Sequence, residues 1–288
     1  MISRNPAFVV FLLLVLLPVP EALAVDSSAD SDLLPVFDAH IHYSKDAWEL
    51  LSPHAAVARL RAAGVKRAMV SSWSDEGTQR LYQAYPDFVI PSLMPYPDRD
   101  AMQVWMHDDK VIPYVKARLQ KYRYAAIGEL HIDGDEVNTP VMREIIQLAD
   151  EYELILHVHS DAAGIRNIYT QDSNARVLWA HAGFEPAETV RELLMMHDPL
   201  WADLSYRYDI FTGGLLRTEW HALLEDHADR FLLGIDPYAP QRWLQVDEVM
   251  QWQRRLLQAL AAEAARQIAY ANGNELARRY DGGKQVYQ

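Results

Sequence analysis

The sequence contains no cysteine. That removes disulfide frameworks, thiolate zinc sites, iron–sulfur clusters and cysteine nucleophiles in one step. It also removes a lipid anchor, which would need a cysteine at a mature N-terminus. Glycine and proline are sparse, at 12 and 15 of 288 residues, so neither a collagen-like nor a low-complexity chain fits. Positive charge is in short supply too: 27 Lys and Arg face 40 Asp and Glu, for a net charge of −13. A chain this acidic lacks the electrostatic footprint of a general binder of nucleic acid or anionic membrane. No G-x-G-x-x-G follows the first predicted strand and no P-loop occurs, so nucleotide binding has no support. What the chain does have is ordinary globular composition, half apolar and 10% aromatic, which argues against disorder.

One long hydrophobic run stands at the start. Arg4 precedes the apolar stretch Phe8–Val19, and Ala22-Leu23-Ala24 forms a small-x-small site. The run is shorter than the roughly 20 residues that cross a bilayer. It reads as a signal peptide, residues 1–24, removed on export. The acidic stretch that follows makes 25–34 a flexible lead-in, and 35–281 is expected to form one domain. The mature protein is expected to be exported, to the periplasm in a Gram-negative source and otherwise secreted, with no stable membrane insertion after cleavage. A homodimer stays open.

Beyond residue 33, short β-branched runs alternate with longer stretches of helical period. Strands are predicted at Val36–His42, Arg67–Ser72, Val89–Met94, Ala126–Leu130, Leu154–His159, Arg176–His181, Leu200–Ser205 and Phe231–Asp236. Helices are predicted at His54–Ala63, Met102–Tyr122, Val141–Tyr152, Pro186–His197 and Leu216–His227. A last helical region, Val246–Tyr280, is broken near Asn272-Gly273-Asn274. Eight such units match a (β/α)8 TIM barrel, usually about 250 residues long. A doubly wound open sheet is the runner-up.

The histidines are the informative feature. His40, His42, His131, His157, His159 and His181 fall at the C-terminal ends of predicted strands, where barrels build their active sites. The other five, His54, His107, His197, His221 and His227, fall in helical stretches and read as solvated or structural. Side chains alternate along a strand, so Asp38, His40 and His42 share one face while Phe37, Ala39 and Ile41 share the other. The apolar face should pack on helices and the polar face should point inward. By the same parity Glu129 pairs with His131, His157 with His159, His181 sits with Trp179 and Val177, and Asp236 faces away from Phe231, Leu233 and Ile235. Buried polar groups stacked this way need something to satisfy them. Imidazole and carboxylate without thiolate suit a catalytic Zn, Mn or Fe ion.

Those residues also carry a resemblance. Asp38-Ala39-His40-Ile41-His42 resembles the D-x-H-x-H opening of the amidohydrolase superfamily. Ile127-Gly128-Glu129, His157-Val158-His159-Ser160, Ala180-His181-Ala182-Gly183 and Gly234-Ile235-Asp236-Pro237 follow in that superfamily's order at strands four, five, six and eight. Ile268–Asn274 looks like the closing helix of the amidohydrolase-related ("amidohydrolase 2") branch. The resemblance implies a metal-dependent hydrolase cleaving an amide, ester or lactone bond in a small molecule. It implies one or two divalent ions, zinc first, with His40, His42, Glu129, His159 and Asp236 as ligands. Asp236 would also accept the proton of the attacking water, and His181 would help polarise the substrate carbonyl. His159 is preferred to His157 because it lies nearer the strand end; His157 would lie deeper. Glu129 stands where the TatD-like branch carries a bridging carboxylate. His131 is a departure from the pattern and, with Arg207 and His157, a candidate for substrate binding.

Other candidates at the rim are Ser72-Trp73-Ser74-Asp75, Tyr96, Tyr238 and Trp243 as pocket residues, and Lys45, Asp46 and Trp48 as a lid. Two further enzyme readings and one other stand beside the hydrolase. A non-oxidative decarboxylase would use the same ligands, with Arg207 holding a carboxylate. A TatD-like deoxyribonuclease is opposed by the net charge. A secreted, degenerate metal-binding barrel is the non-enzyme alternative.

Overall fold

The computed structural model describes residues 34–282. The expected signal peptide, 1–24, and all of the lead-in except Leu34 lie outside them. Eight parallel strands form the core sheet: β1 (Val36–His42), β2 (Val65–Ser71), β3 (Val89–Leu93), β4 (Ala126–His131), β5 (Ile155–His159), β6 (Val177–Trp179), β7 (Leu200–Asp203) and β10 (Phe231–Leu232). They pair in chain order. The last returns to the first through an Asp38–Leu233 bridge, with the Ala39 N–H donating to the Leu233 carbonyl at 2.8 Å. The sheet is therefore the closed TIM barrel that the alternation predicts. Among the described residues, no helix is long and apolar enough to cross a membrane.

The helices between the strands start where the sequence supplies caps. Ser52, Thr139 and Asp161 each accept the N–H of the residue three positions on. Pro53 and Pro140 occupy first helical positions, where a missing N–H costs nothing. Each helix turns an apolar stripe to the barrel; in Pro140–Glu151 it is Val141, Met142, Ile145, Ile146, Leu148 and Ala149. Three expectations shift. Met102–Tyr122 splits into two short 3₁₀ turns and a helix, Val111–Lys121. A small hairpin, β8 (Phe211–Thr212) and β9 (Leu215–Leu216), intervenes after β7. The terminal helical region breaks at residues 259–261, while the chain runs through Asn272 as a π turn followed by the helix Asn272–Gly282.

The barrel interior is apolar below and polar above. Phe37, Met69, Ile90, Ala126, Ile155, Leu178 and Leu232, one from each of seven strands, form a separate buried cluster. Leu276 and Ala277 of the last helix close it. That helix is pressed so tightly on β1 that a Cβ on Gly273 would lie 2.1 Å from Phe37 Cγ. Arginines from around the barrel base tie it down: Arg67 to Asn274 (2.9 Å) and Asp281 (2.7 Å), and Arg176 to the Leu276 carbonyl (2.9 Å). Asn272 donates to the carbonyls of Ala228 and Phe231. Phe37 and Ala39 thus point inward, not toward the helices as simple alternation predicts. The β1–β2 register shifts between Asp38 and Ile41, which lets His40 and His42 face inward as well. Asp38 is displaced from that face. Its Oδ1 accepts the N–H groups of His40 and Ile235, and burial pushes its pKa up to about 7.

Candidate metal centre

A second register shift, between Ile127 and Leu130, does for β4 what the first does for β1. Gly128 takes φ +138 there and lies so close to β5 that a Cβ would stand 2.1 Å from the His157 carbonyl oxygen. Only glycine fits, and Glu129 is swung toward the barrel axis. His181 arrives by another route. By alternation it belongs with Trp179 on the outer face, but β6 ends at Trp179 and residues 181–184 all take left-handed backbone angles. Tyr206 (φ 59) and Asp236 (φ 50) are left-handed too. Of the non-glycine residues with positive φ among those described, only Glu153 lies away from this end. Such angles are sterically costly and persist where the surroundings impose them.

The side chains converge. His40 Nε2 and His42 Nε2 stand 3.1 Å apart. Glu129 Oε2 lies 3.3 Å from the first and 3.1 Å from the second. Asp236 Oδ1 lies 3.8 Å and 3.4 Å from them. The other Glu129 oxygen, Oε1, is 3.0 Å from His159 Nδ1 and 3.5 Å from His181 Nε2. His131 Nε2 is 3.6 Å from Glu129 Oε2, and its ring stacks on His159 at 4.6 Å. Glu129 is therefore the hub, one oxygen to each side.

The opposite ring nitrogens are already committed. His40 Nδ1 pairs with Asp203 Oδ2 (3.1 Å) and Ser205 Oγ (3.2 Å), and His42 Nδ1 with Ser71 Oγ (3.1 Å). His181 Nδ1 meets Ser205 Oγ (2.8 Å) and the Ser205 carbonyl (3.0 Å). Asp203, wholly buried at the end of β7, also contacts His157 Nε2 at 3.4 Å and accepts the N–H groups of His181 and Ser205.

Electrostatically the cluster is a buried negative hole. Burial opposes a charged His40, but Glu129, Asp236 and Asp203 outweigh it and hold its pKa well above the ordinary value. Burial likewise opposes charged Glu129 and Asp203, yet the surrounding imidazoles hold both well below the carboxylate range. His181 is raised despite burial, chiefly by Glu129. His131 is pushed down to about 4 and His157 is lowered, each first by burial. A divalent cation fits this arrangement. Two imidazole nitrogens face one another with their other nitrogens hydrogen-bonded, and Asp236 Oδ1 is buried without a hydrogen-bond partner. Ligand atoms of a tetrahedral ion with bonds of about 2.0–2.2 Å stand about 3.3–3.6 Å apart, close to the spacing here.

Above the cluster opens a pocket of about 300 Å³. Glu129, His131, His159, His181 and Asp236 form its floor; Trp73, Phe184, Tyr206 and Tyr238 form aromatic walls, with Met102 and Arg99 at the side. The expected metal ligands His40, His42, Glu129, His159 and Asp236 are thus brought together with His181 and His131. Two substrate-binding expectations are corrected. Arg207 is 1% exposed; its Nε and Nη2 grip Asp209 and its other donors reach the His181 and Glu185 carbonyls. His157 is buried beneath the cluster against Asp203. At the rim, Trp73 and Tyr238 line the pocket. Tyr96 is buried instead, contacting His131 and the Glu129 carbonyl, and Trp243 donates to the His42 carbonyl. Asp75 is buried in an ion pair with Arg118, and Lys45, Asp46 and Trp48 do not line the pocket. Sequence reasoning misses Asp203, Ser205 and Arg99. Asp203 and Ser205 lie in the last half of the predicted strand Leu200–Ser205, on one face by alternation, which is the one available signal.

The model of the TatD related DNase family matches residues 37–204. Among curated proteins, none matches the sequence significantly. Solved structures share the fold at low identity. An amidohydrolase from Burkholderia multivorans with bound zinc is 12% identical, with a TM-score of 0.57 over 85% of this chain and 99% of that one. A structure described as a probable 2-pyrone-4,6-dicarboxylic acid hydrolase from Acinetobacter baumannii, with citric acid bound, is 11% identical, with a TM-score of 0.57 over 84% and 99%. A TatD family hydrolase from Entamoeba histolytica is 10% identical, with a TM-score of 0.54 over 85% and 99%.

Proposed function

The chain belongs to the TatD related DNase family, a metal-dependent hydrolase family, and from that premise we propose that it cleaves an amide, ester or lactone bond in a small molecule. The observation that carries this reading is Glu129. Its two oxygens face two separate sets of imidazoles, at 3.0–3.5 Å, on the floor of a pocket open at the strand ends. His40, His42 and Asp236 would hold one ion with Glu129, and His159 with His181 or His131 a second, with zinc preferred for its borderline taste for imidazole and carboxylate.

A divalent ion bound there supplies a Lewis acid and an acidified water. The chain supplies the rest. Asp236 is set to accept a proton at Oδ2, which stands 4.0 Å from His181 Nε2, and to return it to the leaving group. His181, pinned at Nδ1 by Ser205, presents Nε2 toward Glu129 and Asp236, where the carbonyl oxygen of a substrate would develop charge. The aromatic walls exclude water from the reacting bond. The decarboxylase alternative loses the residue that favoured it, because Asp209 already holds Arg207. The net charge of −13 supports a small-molecule substrate over DNA. We further propose export directed by residues 1–24 and one barrel domain over 35–281.

The test is elemental mass spectrometry of the purified protein beside a His40→Ala/His42→Ala variant, followed by turnover of generic esters, lactones and amides. About one or two equivalents of metal, lost in the variant, together with metal-dependent turnover, is the expected result. A folded protein that takes up no ion, or a loaded one inert across the panel, overturns the proposal.

A further inference from the structure

The pocket has one cation on its wall, and that cation has no acid. Arg99, in the segment after β3, lies between two of the aromatic walls. Its guanidinium carbon is 5.1 Å from the Trp73 ring centroid and 5.5 Å from that of Tyr238. Its hydrogen bond goes to a neutral acceptor, the Tyr238 carbonyl, at 3.4 Å. Asp98 and Asp100 flank it in the chain, yet among the described residues no carboxylate pairs with it. Asp98 instead accepts the Ala101 N–H. Two other arginines differ, Arg207 being locked to Asp209 and Arg118 to Asp75; Arg242, which packs on the outer side of Tyr206 at 4.4 Å, does not line the pocket. Beyond its one bond to the Tyr238 carbonyl, this exposed guanidinium keeps donors to spare beside the two rings, and its fork is shaped for the two oxygens of a carboxylate.

The remaining wall is apolar and planar. Trp73 stacks on His42, Phe184 stacks on His181 at 4.8 Å, and Tyr206 and Tyr238 stand 5.9 Å apart. Such walls suit a flat apolar body. The cavity, about 300 Å³, is at the small end for ligand sites. A nucleic-acid strand would need several cations along its phosphates. The pocket offers Arg99 alone, in a chain of net charge −13.

We infer that the pocket takes a small, planar, carboxylate-bearing molecule, and that Arg99 sets this specificity by gripping the carboxylate at the wall while the reacting bond lies on the Glu129–Asp236 floor. The position of the reacting bond rests on the hydrolase reading above; the recognition of the carboxylate does not. Arg99 is a substrate-binding residue with no part in proton transfer, so its loss should act on binding and leave the chemical step alone.

Two matched pairs of probes test this on the metal-loaded full chain. For binding, 3-methoxybenzoate is compared with the neutral isostere 3-methoxyacetophenone by calorimetry. For turnover, 3-acetoxybenzoate is compared with its methyl ester, which carries the same scissile bond. The wild type should prefer the anion by about tenfold in affinity and in KM, the scale of one charge-assisted hydrogen-bond pair. Arg99→Gln should abolish that preference, keep the neutral probe within about twofold and leave kcat unchanged; Arg99→Lys should recover part of it, since an ammonium keeps the charge and loses the fork. Equal affinity of the wild type for both probes, equal weakening of both by Arg99→Gln, or no binding of either at millimolar concentration overturns the inference. If neither ester is hydrolysed while binding keeps its Arg99-dependent preference for the anion, the hydrolase reading fails and the inference stands. If both esters are hydrolysed with no charge preference, the inference fails and the hydrolase reading stands.

Discussion

Asp203 supports His40 from below, its Oδ2 3.1 Å from the His40 Nδ1, with both side chains fully buried. This contact decides which nitrogen of His40 carries the proton. A carboxylate at Nδ1 keeps the hydrogen there, so Nε2, beside Glu129 and Asp236, is the nitrogen that becomes available to an ion once its own proton is lost.

Asp203→Asn should therefore injure metal binding without removing a ligand. The amide keeps an oxygen for the N–H groups of His181 and Ser205, but its NH₂ would donate to His40 Nδ1 and push the imidazole proton to Nε2. Metal affinity should fall by about 10–100-fold, the usual effect of losing such a partner. Competition with a chelator, alongside circular dichroism to confirm folding, measures it. An unchanged affinity would show that Asp203 only fills space.

Metal uptake should release protons. In the metal-free protein the neighbouring carboxylates raise the pKa of both His40, well above the ordinary histidine value, and His181, so protons compete with an ion for these nitrogens. Apparent affinity should rise with pH as these are lost. Stability of the metal-free form follows the same groups. The His40 contribution is complete below the ordinary histidine range and disappears as pH climbs through its raised pKa. The contributions of Glu129 and Asp203 are complete above the ordinary carboxylate range and disappear as pH falls through their lowered values. Calorimetric titration in buffers of different ionisation enthalpy should detect about one to two protons per ion; none would contradict the charge balance described for the cluster.

Asp236→Asn should fold, and turnover should drop by about 10²–10⁴-fold, the range for a lost general base. The amide preserves size and an acceptor oxygen but cannot take a proton. The readout is kcat on any ester found to be a substrate, with metal content measured in parallel. Full activity would assign the proton to another group.

Asp75→Ala should destabilise the fold by about 2–3 kcal/mol, because it leaves partly exposed Arg118 with only Glu76 as a partner, beside a buried hole and an unpaired Tyr124 hydroxyl. Asp75 is fully buried, paired with Arg118 and accepting the Tyr124 hydroxyl at 2.5 Å. Urea unfolding of the variant beside the wild type gives the difference. A loss under about 1 kcal/mol would mean that water replaces the carboxylate without penalty.

Period-two alternation makes the barrel and its histidines legible. His157 and His159, with Leu154, Leu156 and Val158 opposite, follow the rule that the sequence obeys. It misplaces Phe37 and Ala39 because a register shift inverts parity in mid-strand, and no residue type in Asp38–Ile41 announces one. His181 reaches the site through a left-handed turn, against its parity. For Arg207 the sequence leaves two readings open, a grip on substrate carboxylate or pairing with Asp209 two residues on, and only the folded side chains decide for Asp209. Arg99 is invisible there for the converse reason. Two aspartates beside it suggest pairing, and only the loop's path shows that it turns toward Trp73 and Tyr238 instead.

The last helix, pressed on Phe37 through Gly273 and tied to Arg67 across 207 positions of chain, has a consequence for the order of events at the ribosome. The first strand is made early, but its edge partner β10 and its floor are made last. Until the residues around Asn272 emerge, Phe37 lacks the helix that covers it, although Leu233, which closes the sheet on the first strand, is already made. Long-range closure of this kind is slow and late. The histidines of the first strand and Asp236 thus meet above a floor that the last described helix lays down after all of them are made.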